Sequence, residues 1–191
     1  AHSLRPHAAS FARNLRAGVT TVSINPNTGK PCSGTSALVK TQGAKVLDAQ
    51  LQLCLDASYG ADRGDEAPTS PGSLHEMLDG ALSEGAGSFG LAAAQELPVL
   101  IRVRDRFSVR AASSLAKTHK LQGALFGSYW TEDLVDEVVD AGLGVVCDPV
   151  SVASKQRAMG SIKALADGGV EIGFGLVSPA NSPEGLRVSA A

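Results

Sequence analysis

A carboxylate and two guanidinium groups stand where apolar segments of the sequence end, and such positions carry the chemistry of many parallel-sheet proteins. Asp148 directly follows the apolar run 145–147, while Arg102 and Arg104 alternate at the end of the run 99–103. Side chains two residues apart on a strand point to the same face. Asp148 is therefore a candidate catalytic carboxylate, and Arg102 and Arg104 are candidates for binding a substrate or another anion.

Each candidate also has a structural interpretation that involves no ligand. Asp148 precedes Pro149, and Asp-Pro commonly ends a strand in a turn. The arginines of the segment 102–110 could be solvated, or paired with Asp105 and Glu132. The residue types alone leave both interpretations open.

The cysteines favour packing over chemistry. Cys32, Cys54 and Cys147 are widely spaced and lie in different kinds of segment, which is not the pattern of a disulfide framework or a zinc knuckle. Cys54 and Cys147 lie in apolar runs with no histidine placed beside them, so we expect small buried hydrophobes. Three free thiols fit a reducing cytoplasm.

The charge distribution argues against two classes of partner. The chain has 17 basic and 19 acidic residues, a formal net charge of −2, and no long run of one sign. Nucleic acids and anionic membrane surfaces are therefore unexpected partners. No apolar run approaches the roughly 20 residues that span a bilayer, and the N-terminus does not resemble a signal peptide. We expect a soluble, cytoplasmic protein.

The elements that must position these side chains alternate regularly in the second half of the chain. With 191 residues the chain has the length of one domain, and with 4% aromatic residues its core must be mainly aliphatic. From residue 97 onward, strands alternate with helices, which predicts parallel strands joined by crossover helices. The predicted strands are 99–103, 123–126, 144–147 and 170–174, and the predicted helices are 108–119, 131–141 and 154–167.

The first half is less regular. Helix 10–16 and strand 19–24 precede a Gly- and Ser-rich segment with a short strand at 36–40, and alternating apolar residues predict a strand over 45–55. A mobile loop is expected over 56–73, followed by a helix that Ser73 caps and that runs to about Ala94.

These strands fit either an open doubly wound sheet or an incomplete eight-stranded barrel. Length alone favours the sheet, because a complete barrel typically needs about 250 residues. The sequence contains neither GxGxxG nor GxxxxGK[ST], so a nucleotide-binding version of the sheet is a poor match.

The run FARNLRAGVTTV at 11–22 resembles the helix and following strand of the amidohydrolase superfamily, in particular its imidazolonepropionase-like branch. Later segments are similar to further turns, strands and helices of that branch: 25–27, 33–40, 97–104, 108–115, 141–146 and 169–175. The resemblance covers nearly the whole chain. It implies an α/β fold, a partial (β/α) TIM-like barrel with mostly parallel strands, in a single domain over 1–191.

The resemblance also implies a site that has lost its metal. The superfamily holds one or two divalent ions, commonly Zn²⁺, at the carboxyl ends of its barrel strands. The family's first-strand histidines fall before Ala1, its later ligand positions on Arg102, Gly127 and Val177, and its bridging lysine near Gln52. A guanidinium group stays protonated and has no free lone pair. We therefore expect no metal cofactor.

Three functions follow as hypotheses, and whether the protein is an enzyme stays open between them. The first is a non-catalytic amidohydrolase-like structural or assembly subunit, a pseudoenzyme that oligomerises with itself or with a full-length amidohydrolase. The second is an active hydrolase of C–N bonds in a cyclic amide or related substrate, with metal ligands shifted to His2 or His7 or supplied by a partner, or with Asp148 acting without metal. The third is a small-anion sensor built on Arg102 and Arg104.

Overall fold

The computed structural model describes residues 9–24, 31–56, 70–127, 132–148 and 156–175. Most of the predicted loop 56–73 lies outside these ranges. Within the described ranges, seven strands and six α-helices form in the order α1 (Ala9–Arg16), β1 (Thr21–Ile24), β2 (Cys32–Lys40), β3 (Val46–Cys54), α2 (Pro71–Glu84), α3 (Ser88–Ala93), β4 (Val99–Arg102), α4 (Arg106–His119), β5 (Gly123–Phe126), α5 (Val135–Ala141), β6 (Gly144–Cys147), α6 (Gln156–Asp167) and β7 (Ile172–Phe174).

All seven strands belong to one curled sheet whose spatial order is the chain order, β1 to β7. The strands β3 to β7 are parallel, whereas β2 is antiparallel to both of its neighbours. A doubly wound sheet reverses its strand order partway, which puts helices on both faces. The sequential order therefore excludes that alternative for the described residues and leaves an α/β half-barrel.

The helices α2 to α6 cover the outer, convex face of the sheet, whereas α1 lies at the opposite, concave face. α2 packs against α4, and α4 packs against α5. Alternating residues of the parallel strands point toward these helices and are fully buried: Leu51, Leu53, Ile101, Leu125 and Val145. They form one aliphatic core with residues of α2, α4, α5 and α6. Burial of this face fixes the register of every strand, because a shift by one residue would expose it.

Local signals set the helix ends. Ser70 caps α2 in a capping box with Ser73, and Pro71 takes the first helical position. Asp105 caps α4 in the same way with Ser108. The predicted start at Ser73 is therefore three residues late, because Ser73 serves at the third helical position of the box and not as the cap.

The helix predicted to run from Ser73 to about Ala94 is two helices. Gly85 ends α2 in the left-handed conformation, with φ 65°, and Gly87 precedes α3 with φ 56°. Residues with a Cβ rarely adopt positive φ, so these glycines break the helix where an unbroken one would otherwise continue.

A polar contact joins two of the outer helices. The imidazole Nε2 of His119, near the end of α4, lies 2.8 Å from Oδ1 of Asp79 in α2. The side chain of His119 is only 11% exposed, and the contact links α4 to α2.

Within the described ranges, no helix combines the length and the apolar character that crossing a bilayer requires.

Candidate functional site at the carboxyl ends of the strands

Four residues stand directly at the carboxyl ends of neighbouring parallel strands. Arg102 ends β4, while Asp56, Gly127 and Asp148 lie just past β3, β5 and β6. Because these strands are parallel and adjacent in the sheet, their carboxyl ends meet along one rim. In barrel and half-barrel folds this rim is the usual place for binding and catalysis.

Asp56 and Arg102 form an ion pair on this rim. Nε of Arg102 lies 3.7 Å from Oδ2 of Asp56, and the two side chains are 22% and 6% exposed. The guanidinium of Arg102 also lies over the ring of Phe126, 5.8 Å from its centroid. An aromatic face and a carboxylate both favour the positive charge, so Arg102 is held between β3 and β5.

Sequence reasoning missed Asp56, which it assigned to the start of a loop. The signal that singled out Asp148 applies to Asp56 too, since each carboxylate follows an apolar strand. The loop-like composition after residue 56 obscured this signal. In the structure, Asp56 is buried together with the strand that precedes it.

Arg104 does not share the strand with Arg102. β4 ends at Arg102, and Arg104 is exposed in the connection to α4, where its backbone N–H donates to Oγ of Ser108. The expected alternation of two arginines on one strand face is therefore not realised.

The neighbouring arginines pair with acidic residues of the next βα unit. Arg106 lies 2.7 Å from Asp133, and Arg110 lies 3.1 Å from Glu137. The expected partner Asp105 instead caps α4, since its carboxylate accepts the backbone N–H of Ser108. These exposed pairs join the region of α4 to that of α5, and they lie away from the ion pair that Arg102 makes on the rim.

Asp148 is half-buried and follows Cys147, whose side chain belongs to the core. Burial and, second, the carboxylate of Asp148 raise the pKa of the Cys147 thiol from 9.0 to about 12. The thiol therefore stays protonated at neutral pH and is a poor nucleophile. Cys54 is also buried, with its Sγ 3.8 Å from the carbonyl oxygen of Asp56.

The described rim does not fit a divalent metal. Within the described ranges, no three His, Cys, Asp or Glu side chains come together as a ligand set. At Arg102 the side chain is a cation. At Gly127 a Cβ would stand 2.0 Å from the carbonyl oxygen of Val103, so no imidazole can be carried there without a backbone shift. Val177, His2 and His7 lie outside the described residues.

Comparison with known proteins supports the fold. No protein-family model matches the chain, and no curated protein sequence matches it either. The structure is similar to the crystal structure of an amidohydrolase from Thermotoga maritima MSB8, with a TM-score of 0.79 and 15% sequence identity. The match covers 99% of this chain and 59% of that protein, so the chain spans little more than half the length of its structural neighbour.

Proposed function

We propose that this protein is a non-catalytic member of the amidohydrolase superfamily, of the imidazolonepropionase-like branch, that acts as a structural or assembly subunit of an oligomer. The observation that carries the proposal is the ion pair of Arg102 with Asp56 on the rim where the superfamily holds its metal. A guanidinium at the ligand position cannot bind a metal ion, and its ion pair with Asp56 also engages a carboxylate that could otherwise serve as a ligand.

The environment of Gly127 supports the same conclusion. Its backbone passes so close to Val103 that even a methyl group collides with the carbonyl oxygen. Recovery of a ligand at this position would need movement of β5 against β4 in addition to a substitution. This steric constraint therefore supports the proposal that the protein is non-catalytic.

Assembly is supported by the edges of the sheet. Among the described strands, β1 pairs only with β2 and β7 pairs only with β6. An unpaired strand edge exposes N–H and C=O groups that readily pair with another chain. Ile24 on β1 is also 38% exposed, which adds apolar surface to that edge. Another polypeptide, either a second copy or a full-length amidohydrolase, would cover it.

Light scattering coupled to size-exclusion chromatography tests the assembly role. The native mass should exceed that of one chain, and Ile24→Lys should shift the protein toward the monomer because a charge disfavours pairing at the β1 edge. Met159→Lys is the matched control, since Met159 is an exposed apolar residue on α6. A monomeric wild-type protein that binds no full-length amidohydrolase would refute the role.

A second candidate is anion binding at the rim, which the positions of Arg102 and the exposed Arg104 favour. Arg102→Met would then abolish any rise in melting temperature that carboxylates or phosphate produce in the wild-type protein. If neither protein responds, anion binding is removed as a function.

Hydrolysis of a cyclic amide that requires added Zn²⁺ would instead support the active-enzyme alternative.

A further inference from the structure

The concave face of the sheet, opposite the helix-covered face, borders a cavity of about 630 Å³. Its walls come from the inner side chains of the strands, among them Leu100, Ala124, Phe126 and Val146, and from α1, which contributes Phe11 and Asn14. This volume falls within the range of about 300–1,000 Å³ that is typical of small-molecule sites.

The described part of the wall of this cavity carries no charged side chain. Among the described residues that line it, none is an Asp, Glu, Lys, Arg or His. Most of the lining is aliphatic or aromatic, and a few uncharged groups such as Asn14, Ser23 and Gln50 can donate and accept hydrogen bonds. Phe126 is part of the wall, whereas Arg102 is not. The guanidinium of Arg102 lies over the ring of Phe126.

A buried hydrogen-bond acceptor of β3 lies beside the wall. Gln52 follows Gln50 on the same face of β3 and pairs in register with Leu100, which lines the cavity. The side-chain Oε1 of Gln52 is buried, and among the described residues no donor forms a hydrogen bond to it. Such an atom is costly to leave unsatisfied, so a hydrogen-bond donor that arrived next to it would be favoured.

We propose that this cavity binds an uncharged small molecule that has an apolar body and an amide or hydroxyl group. Burial of an ion among uncharged walls is costly, whereas a neutral hydrogen-bonding group can be matched by the side-chain amides. The ligand differs in class from the anion expected at Arg102, and the inference does not depend on the proposed assembly role.

A pair of probes that differ mainly in charge tests the proposal. Phenylacetamide and phenylacetate share the same apolar body, and titration calorimetry measures the affinity of the purified protein for each. The amide should bind at a single site, and the carboxylate should bind roughly tenfold more weakly or worse. Equal affinities, or no binding of either probe, would overturn the proposal.

Variants locate the binding. Ala124→Leu extends a side chain into the cavity and should weaken phenylacetamide binding by roughly tenfold or more, whereas Ala166→Leu on the exposed face of α6 should bind like the wild type. Val146→Phe fills the same cavity from β6. It replaces Ala124→Leu in this test if circular dichroism shows that Ala124→Leu does not fold. Unchanged binding in a folded, cavity-filling variant would contradict the proposed location.

Discussion

The ion pair of Asp56 with Arg102 lies on the rim and is largely buried, with side chains that are 6% and 22% exposed. The other ion pairs that arginine or lysine makes among the described residues lie on the surface; in the pair of Arg106 with Asp133, for example, both side chains are 49% exposed. Exposed pairs contribute little because water screens them, whereas removal of one partner from a buried pair leaves a charge without compensation.

Asp56→Asn should therefore destabilise the protein by about 1–3 kcal/mol, and Asp133→Asn by less than about 1 kcal/mol. Urea unfolding of both variants gives the two free energies of unfolding. If the two substitutions cost the same, the pair on the rim has no special role in holding Arg102.

The Cys147 thiol gives a second test at the residue scale. Its pKa is raised from 9.0 to about 12 in the folded protein, so folding favours the protonated thiol. The stabilisation is complete below pH 9 and is lost as the pH rises from 9 toward 12, because only the unfolded chain then releases the proton. The free energy of unfolding should fall more steeply between pH 8 and pH 10.5 in the wild type than in Cys147→Val, as measured by urea unfolding at each pH. Parallel pH profiles would contradict the burial of this thiol.

At the scale of elements, the close approach of β5 to β4 shapes the rim. Gly127 and Gly123 both lie where a Cβ would meet backbone atoms of the segment around β4. Glycine at these positions lets the two strands pair without displacement, and it also excludes a side chain from the rim at position 127.

Gly127→Ala should consequently destabilise the protein by about 1–3 kcal/mol through overpacking. Gly80→Ala is the matched control, because a Cβ there meets no atom within 4 Å and alanine favours the interior of α2. That variant should be stabilised by about 0.5–1 kcal/mol. Thermal unfolding that shows no loss for Gly127→Ala would mean that the rim can accept a side chain after all.

Much of the element order follows from the sequence pattern, and the failures have local causes. β5 and β6 begin and end as predicted, at 123–126 and 144–147, because short apolar runs there are bounded by glycine and polar residues. β2 begins at Cys32, four residues before the predicted strand, since pairing with β3 overrides the low strand propensity of its Gly and Ser residues. Periodicity also could not indicate that Gly85 and Gly87 take positive φ.

The candidate site was harder to predict than the elements. Arg102 and Asp148 stand on the rim as expected, since strand ends can be read from the sequence. The partnership of Arg102 with Asp56 depends on which strands are neighbours, and the cavity depends on how the sheet curls. Neither property is visible in residue spacing.

At the scale of the whole molecule, the same scaffold separates two kinds of surface. The convex face is covered by helices and holds the core, whereas the concave face borders an uncharged cavity and ends in a rim that carries Arg102 in an ion pair. On the described part of this rim, no three His, Cys, Asp or Glu side chains come together as a ligand set.

The most direct test of this account is the zinc content of the purified protein, measured by plasma mass spectrometry after incubation with Zn²⁺ and extensive dialysis. A protein that has lost its metal site should retain far less than a stoichiometric amount of zinc, with no change in melting temperature on chelation. A stoichiometric zinc ion that survives dialysis, and whose removal abolishes hydrolysis of a C–N bond, would contradict it.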